Sequence, residues 1–157
     1  MHHLISKDKI NHILESVFTD ISALGSLIFH ILLCLYINIF SLSTPLVSKL
    51  SMNLIFTHIF SYIIRFFYFK ERPNARHHSS FLERLDASSF PSIHVARFVG
   101  FSAIVSLTFY DSTLTLFLFI LTILVAYSRI YLKEHHFIDT LFGGIIGLLI
   151  GITIYYI

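Results

Sequence analysis

Five stretches of this chain, most of them about as long as a bilayer is thick and all nearly free of charge, decide what it can fold into. A helix needs roughly 20 residues to cross a hydrocarbon core of roughly 30 Å. The stretches are Ile21 to Phe40, Leu46 to Phe69, Ser92 to Phe109, Thr113 to Ser128 and Phe137 to Ile157. Each is apolar on every side, without the alternation that a membrane β-strand requires, so in lipid only helices remain. Composition agrees: 55% of the 157 residues are hydrophobic and 13% charged, with a mean hydropathy of +0.78, against roughly 25% charged in a soluble domain. The expected fold is all-α, an integral membrane bundle of about five transmembrane helices forming a single membrane-embedded domain over residues 1–157.

Ahead of the first span, Ile10, Ile13, Leu14, Val17, Phe18 and Ile21 recur at helical spacing against Lys9, His12, Glu15 and Asp20. That pattern predicts an N-terminal amphipathic helix lying on the interface or extending the first membrane helix into water. The polar lead-in is long and no small-residue cleavage site follows the first span, so a secretory signal is not expected. A net charge of +2 is too balanced for a nucleic-acid partner. Cys34 is the single cysteine, which excludes a disulfide framework and a thiolate metal site.

Five spans put the termini on opposite faces, and nearly all the polar chemistry falls on one of them: residues 1–20, a long loop of about residues 70–91, and the turn from Arg129 to His136. Three clusters lie there. Arg65 and Arg72 are seven residues apart, followed by Pro73, and share one helix face if the second helix runs on to Arg72. Pro91-Ser92-Ile93-His94 gathers a proline, a hydroxyl, an imidazole and free backbone N–H groups at a helix entrance, a seat for an anion. Ser128-Arg129 is followed by His135 and Asp139 at i and i+4, a spacing at which the carboxylate reaches one ring nitrogen and leaves the other free. Taken singly these are ordinary features: a snorkelling arginine, a helix cap, a helix pair. Together three guanidiniums, two imidazoles, a serine and an aspartate at one membrane face suit a dianion. His94, His135 and Asp139 could also form a zinc site, but nearby arginines would repel a divalent cation.

The clusters resemble the signature of the type-2 phosphatidic-acid phosphatase superfamily, K-x6-R-P, P-S-G-H and S-R-x5-H-x3-D, in order and spacing over residues 65–139. Arg65 stands where the family has lysine, keeping the charge on a planar fork. Ile93 stands where it has glycine, so a β-branched residue must present the backbone N–H. The resemblance implies a lipid phosphate or diphosphate phosphatase that needs no metal or other cofactor. His135 would be the nucleophile forming a phosphohistidine, Asp139 would hold its tautomer, and His94 would protonate the leaving oxygen and then activate water. Arg65, Arg72, Ser92, the N–H of Ile93 and Arg129 would bind the phosphate oxygens. The alternatives are a lipid phosphotransferase using the same intermediate and a non-catalytic protein that binds anionic lipid. Partners are then a lipid phosphate substrate and the membrane lipids.

Other residues carry lesser expectations. His136 is read as interfacial, pointing away from His135, and His77 and His78, beside Arg76, as loop residues within reach of a headgroup. His58 lies on the stripe of Arg65, a buried packing partner, and Arg97 pairs with Glu83, Asp86 or Glu134 or meets a second phosphate. Gly143, Gly147 and Gly151 continue at four-residue steps below Asp139, a ridge for close helix packing or, alternatively, a slot for a lipid tail. Lys7, Lys9, Lys70, Arg76, Arg84 and Lys133 lie on the active face against Lys49 on the other, which by the positive-inside rule favours the cytoplasm. Basic residues near a phosphate site also serve the substrate, and the resembled family works on the opposite side, so an extracytoplasmic site is expected.

Overall fold

Lipid forces each apolar run to satisfy its own backbone, and the computed structural model is helical over most of each run. It describes residues 7–40, 43–75 and 77–157; Arg76 lies outside them. In chain order the helices are α1 (Lys7–Ala23), α2 (Leu27–Ile39), α3 (Thr44–Phe67), α4 (Phe81–Ala87), α5 (Ile93–Phe109), α6 (Ser112–Tyr131) and α7 (Phe137–Tyr156). Side-chain caps open several of them: the Ser43 hydroxyl accepts from Leu46 N at α3, and Asp111 Oδ1 accepts from Leu114 N at α6. Ser80 and Glu83 form a reciprocal capping box on α4.

Among the described residues, α3, α6 and α7 are long and apolar enough to cross a membrane, and α1 and α2, bent by 48° against each other, reach that length and apolarity only when taken together. The predicted first span is therefore not one continuous helix. It breaks after Ala23, where Ser26 starts α2 by accepting from Phe29 N at 3.1 Å. The elbow is seated on the start of α5: a Cβ on Gly25 would lie 2.8 Å from the His94 carbonyl oxygen. α1 then leans on α6, with the Phe18 ring against Tyr127 and Tyr131.

α5 has 17 residues, fewer than the roughly 20 of a full span. It holds the middle of the bundle, packed by α3, α6 and α7. Its contact with α7 is backbone on backbone. A Cβ on Gly143, Gly147 or Gly151 would come within 2.5, 2.1 and 2.7 Å of the carbonyl oxygens of Ser92, Ala96 and Gly100. The glycine ridge is thus filled by α5, and the alternative of a lipid-tail slot along it is overturned. This seam sets the entrances of α5 and α7 side by side, tied by a bond from Ser92 N to the Asp139 carbonyl at 3.0 Å.

The second predicted span ends earlier than expected. Tyr68 is extended and α3 stops at Phe67, so Arg72 does not share a helix face with Arg65. The chain instead pairs with the segment before α5: Ser89 N donates to Lys70 O at 2.7 Å and the Ser89 hydroxyl to Glu71 O at 3.0 Å. These bonds satisfy backbone that would otherwise have continued the helix.

Candidate active site

The end of α3, the loop after it, α4, the start of α5, the end of α6 and the turn that leads to α7 line a polar cavity of about 380 Å³. Arg65, Arg72, Ile93, His94, Arg129 and His135 line it. Ser92 and Asp139 do not; both are wholly buried behind it.

Each guanidinium is held in place by groups that can only accept or share a proton. Arg65, 4% exposed, donates to the carbonyls of Leu85 at 3.0 Å and Pro91 at 2.9 Å. Arg72 donates to the carbonyls of Ala87 and Asp86 and pairs with Glu134. Arg129 donates to the Ser22 hydroxyl at 2.7 Å, and its other terminal nitrogen lies 3.6 Å from Glu134. Charged donors anchored in this way keep their geometry when an anion arrives. Glu134, beside His135 in the chain, joins this group, a partnership that no spacing in the sequence marks.

His135 is 2% exposed. Its Nδ1 lies 2.6 Å from the Ser89 carbonyl oxygen; a carbonyl only accepts, so the proton is on Nδ1 and the lone pair on Nε2. Burial foremost, then the charges of Arg129 and Arg72, hold its pKa well below the ordinary value, against the raising effect of the Ser89 bond. The folded-state pKa is therefore below the value of about 6.5 in the unfolded chain, which takes up the proton first as the solution is acidified. Stability is complete above about pH 6.5 and declines below it. We expect the melting temperature to fall less between about pH 7 and about pH 5 in His135→Asn than in the wild type; equal declines would contradict this assignment.

Asp139 is not the partner of His135. α7 begins at Phe137, with His136 as its cap, so His135 precedes the helix and the i, i+4 rule does not apply to it. The Asp139 carboxylate accepts from His136 N at 2.8 Å, meets His136 Nδ1 at 3.1 Å and pairs with Lys70 Nζ at 2.5 Å. The His136 side chain is 45% exposed and turns its Nδ1 toward the Asp139 carboxylate. Lys70 is 69 residues from Asp139 in the chain, and nothing in local spacing marks the pair.

Ile93 is the first residue of α5, and its backbone is not among the described residues with positive φ. A β-branched residue fits there without strain, so glycine's freedom is not required. The Ser92 hydroxyl is buried without a hydrogen-bond partner among the described residues. The remainder of the cavity wall is His58, Tyr62, Asp86, Arg97 and Glu134. Arg97 pairs with none of the three expected carboxylates: it donates to Gly25 O at 2.5 Å and lies 3.0 Å from His58 Nε2. His58 Nδ1 donates in turn to Leu54 O at 2.8 Å. Tyr62 donates to Asp86 at 2.5 Å. Among the described residues, no group of three or more His, Cys, Asp or Glu is placed to hold a metal ion.

A family model described as the PAP2 superfamily matches residues 46–157, a range that contains all three clusters. No curated protein matches the sequence. Two solved structures are similar. LpxE of Aquifex aeolicus superposes with a TM-score of 0.77 at 24% identity, covering 92% of this chain and 87% of that one. A transmembrane PAP2-type phosphatidylglycerolphosphate phosphatase from Bacillus subtilis superposes with a TM-score of 0.74 at 20% identity, covering 90% and 74%. At such identities the likeness is one of fold.

Proposed function

The chain belongs to the PAP2 superfamily, and from that premise we propose that it is a phosphatase of membrane lipid phosphates, working through a phosphohistidine on the extracytoplasmic face. The observation that carries the reading is His135, its ring held by the Ser89 carbonyl, in the wall of a cavity lined by Arg65, Arg72 and Arg129.

In the proposed reaction the Nε2 lone pair of His135 attacks phosphorus as the bond to the lipid oxygen breaks. His94, whose protonated form a neighbouring dianion favours, delivers its proton to that oxygen. The lipid alcohol leaves, and neutral His94 takes a proton from water as the water oxygen attacks the phosphohistidine. Phosphate departs with Nε2 restored. Arg65, Arg72, Arg129 and the Ile93 N–H bind the three non-bridging oxygens, where charge redistributes in the transition state. The Ser92 hydroxyl, buried and without a partner among the described residues, is assigned to a phosphate oxygen as well. Asp139, with Lys70 and His136, fixes the entrance of α7 and so places His135; it acts through position. No step requires a metal.

Purified protein in mixed micelles, given phosphatidic acid, phosphatidylglycerophosphate, a polyprenyl diphosphate and lipid A in turn, should release inorganic phosphate from at least one, undiminished by excess EDTA. Loss of all release in EDTA with recovery on adding zinc would overturn the metal-free route, and no release from any lipid would overturn the phosphatase reading.

A further inference from the structure

The cavity holds an anion of its own. Glu134 lies in the turn between α6 and α7, its N–H bonded to Arg129 O at 3.1 Å. Its carboxylate pairs with Arg72 and approaches Arg129. It therefore sits on two of the three guanidiniums assigned to phosphate, inside the cavity wall. A carboxylate there is costly to an enzyme that must seize a multiply charged group, unless the reduction in positive charge is itself useful.

With the imidazoles neutral, the described residues lining the cavity carry four guanidiniums, Arg65, Arg72, Arg97 and Arg129, against two carboxylates, Asp86 and Glu134. The net charge is +2. Asp86 is bonded to Tyr62, so Glu134 is the carboxylate that tempers the arginines of the phosphate seat. A phosphomonoester brings a charge of about −1.5 to −2 at neutral pH, which this seat compensates. A diphosphate brings roughly one charge more, and its second phosphoryl group would have to lie against a fixed carboxylate or displace it.

We infer that Glu134 is a specificity-determining residue that selects phosphomonoesters over diphosphates by setting the charge of the seat. The inference rests on the phosphatase reading above and narrows its substrate class to lipid monophosphates.

Farnesyl monophosphate and farnesyl diphosphate share one tail and differ only in the group at issue. The wild type should have the higher kcat/KM for the monophosphate. Glu134→Gln, which keeps shape and removes charge, should shift the ratio toward the diphosphate by about tenfold or more, and Glu134→Asp should stay near the wild type. Competition by inorganic phosphate and pyrophosphate should follow: the Ki of pyrophosphate falls further than that of phosphate in Glu134→Gln. A merely structural residue would lower both activities together and leave the ratio in place. An unchanged ratio in Glu134→Gln, or a wild type that prefers the diphosphate, overturns the inference. Should Glu134→Gln fail to fold, Glu134→Ala carries the same expectation. If the wild type releases phosphate from neither farnesyl substrate nor any of the four lipids named above, the phosphatase reading fails instead. The stabilisation of the protein against heat by phosphate and by pyrophosphate then still tests the charge match, without turnover: greater stabilisation by pyrophosphate in the wild type overturns it.

Discussion

His135→Ala is expected to give a folded membrane protein whose phosphate release falls by roughly 10⁴-fold or more, the scale seen when a covalent nucleophile is removed. The loss follows from the position of the ring. Its Nδ1 proton is committed to the Ser89 carbonyl, and burial beside Arg129 and Arg72 keeps the ring neutral, so Nε2 is a ready nucleophile. Among the described residues, the other imidazoles at the site are committed elsewhere, His58 to Leu54 O and Arg97. His94 is assigned the opposite role of proton donor, and His136 is engaged with the Asp139 carboxylate. Folding should survive because the bundle is held by the α5–α7 seam and not by this side chain. Phosphate release and the helical circular-dichroism signal, measured on the same detergent preparation, separate the two effects. Turnover within tenfold of the wild type would contradict the assignment.

Gly147→Ala should be the most damaging small change in the bundle. The added methyl would sit 2.1 Å from the Ala96 carbonyl oxygen and 2.8 Å from its Cα. Those atoms are backbone and cannot rotate away, so α5 and α7 must separate. Overpacking of this kind costs about 3 kcal/mol, and separation also moves His94 and His135 relative to each other. Gly144 provides the comparison: a Cβ there would lie 4.0 Å from the methyls of Val95 and Val99, an ordinary contact. Gly144→Ala should be neutral or stabilising by about 0.5 kcal/mol, since alanine favours the helix. Thermal unfolding of both variants in one detergent checks the contrast, and equal midpoints would contradict the packing account.

Much of this site was legible because its chemistry is carried by helix ends. A charge inside an apolar run is expensive in lipid, so Arg65 and Arg129 had to lie near the ends of their spans, and one face had to receive them. Spacing then located His94 and His135. What local patterns could not show were contacts made across the chain. The stop of α3 at Phe67 depends on Ser88 and Ser89 pairing with Lys70 and Glu71, about 18 residues away. The proton on His135 is placed by a backbone carbonyl, which has no residue type to betray it. The i, i+4 rule misassigned Asp139 because it holds only within a helix, and His135 lies just outside one. The elbow between α1 and α2 was hidden because Gly25 and Ser26 interrupt an uncharged run without adding a charge.

On the proposed mechanism, phosphorus passes through His135. Rapid acid-free quenching of the protein with a lipid substrate labelled in its phosphate should leave label on the chain that is stable to base and lost in acid, as a phosphoramidate is, with the labelled peptide containing His135 and no label retained by His135→Ala. Label that survives acid, or that persists in His135→Ala, would show that another residue does the work, and turnover that leaves no label on the wild-type chain would show that water attacks directly.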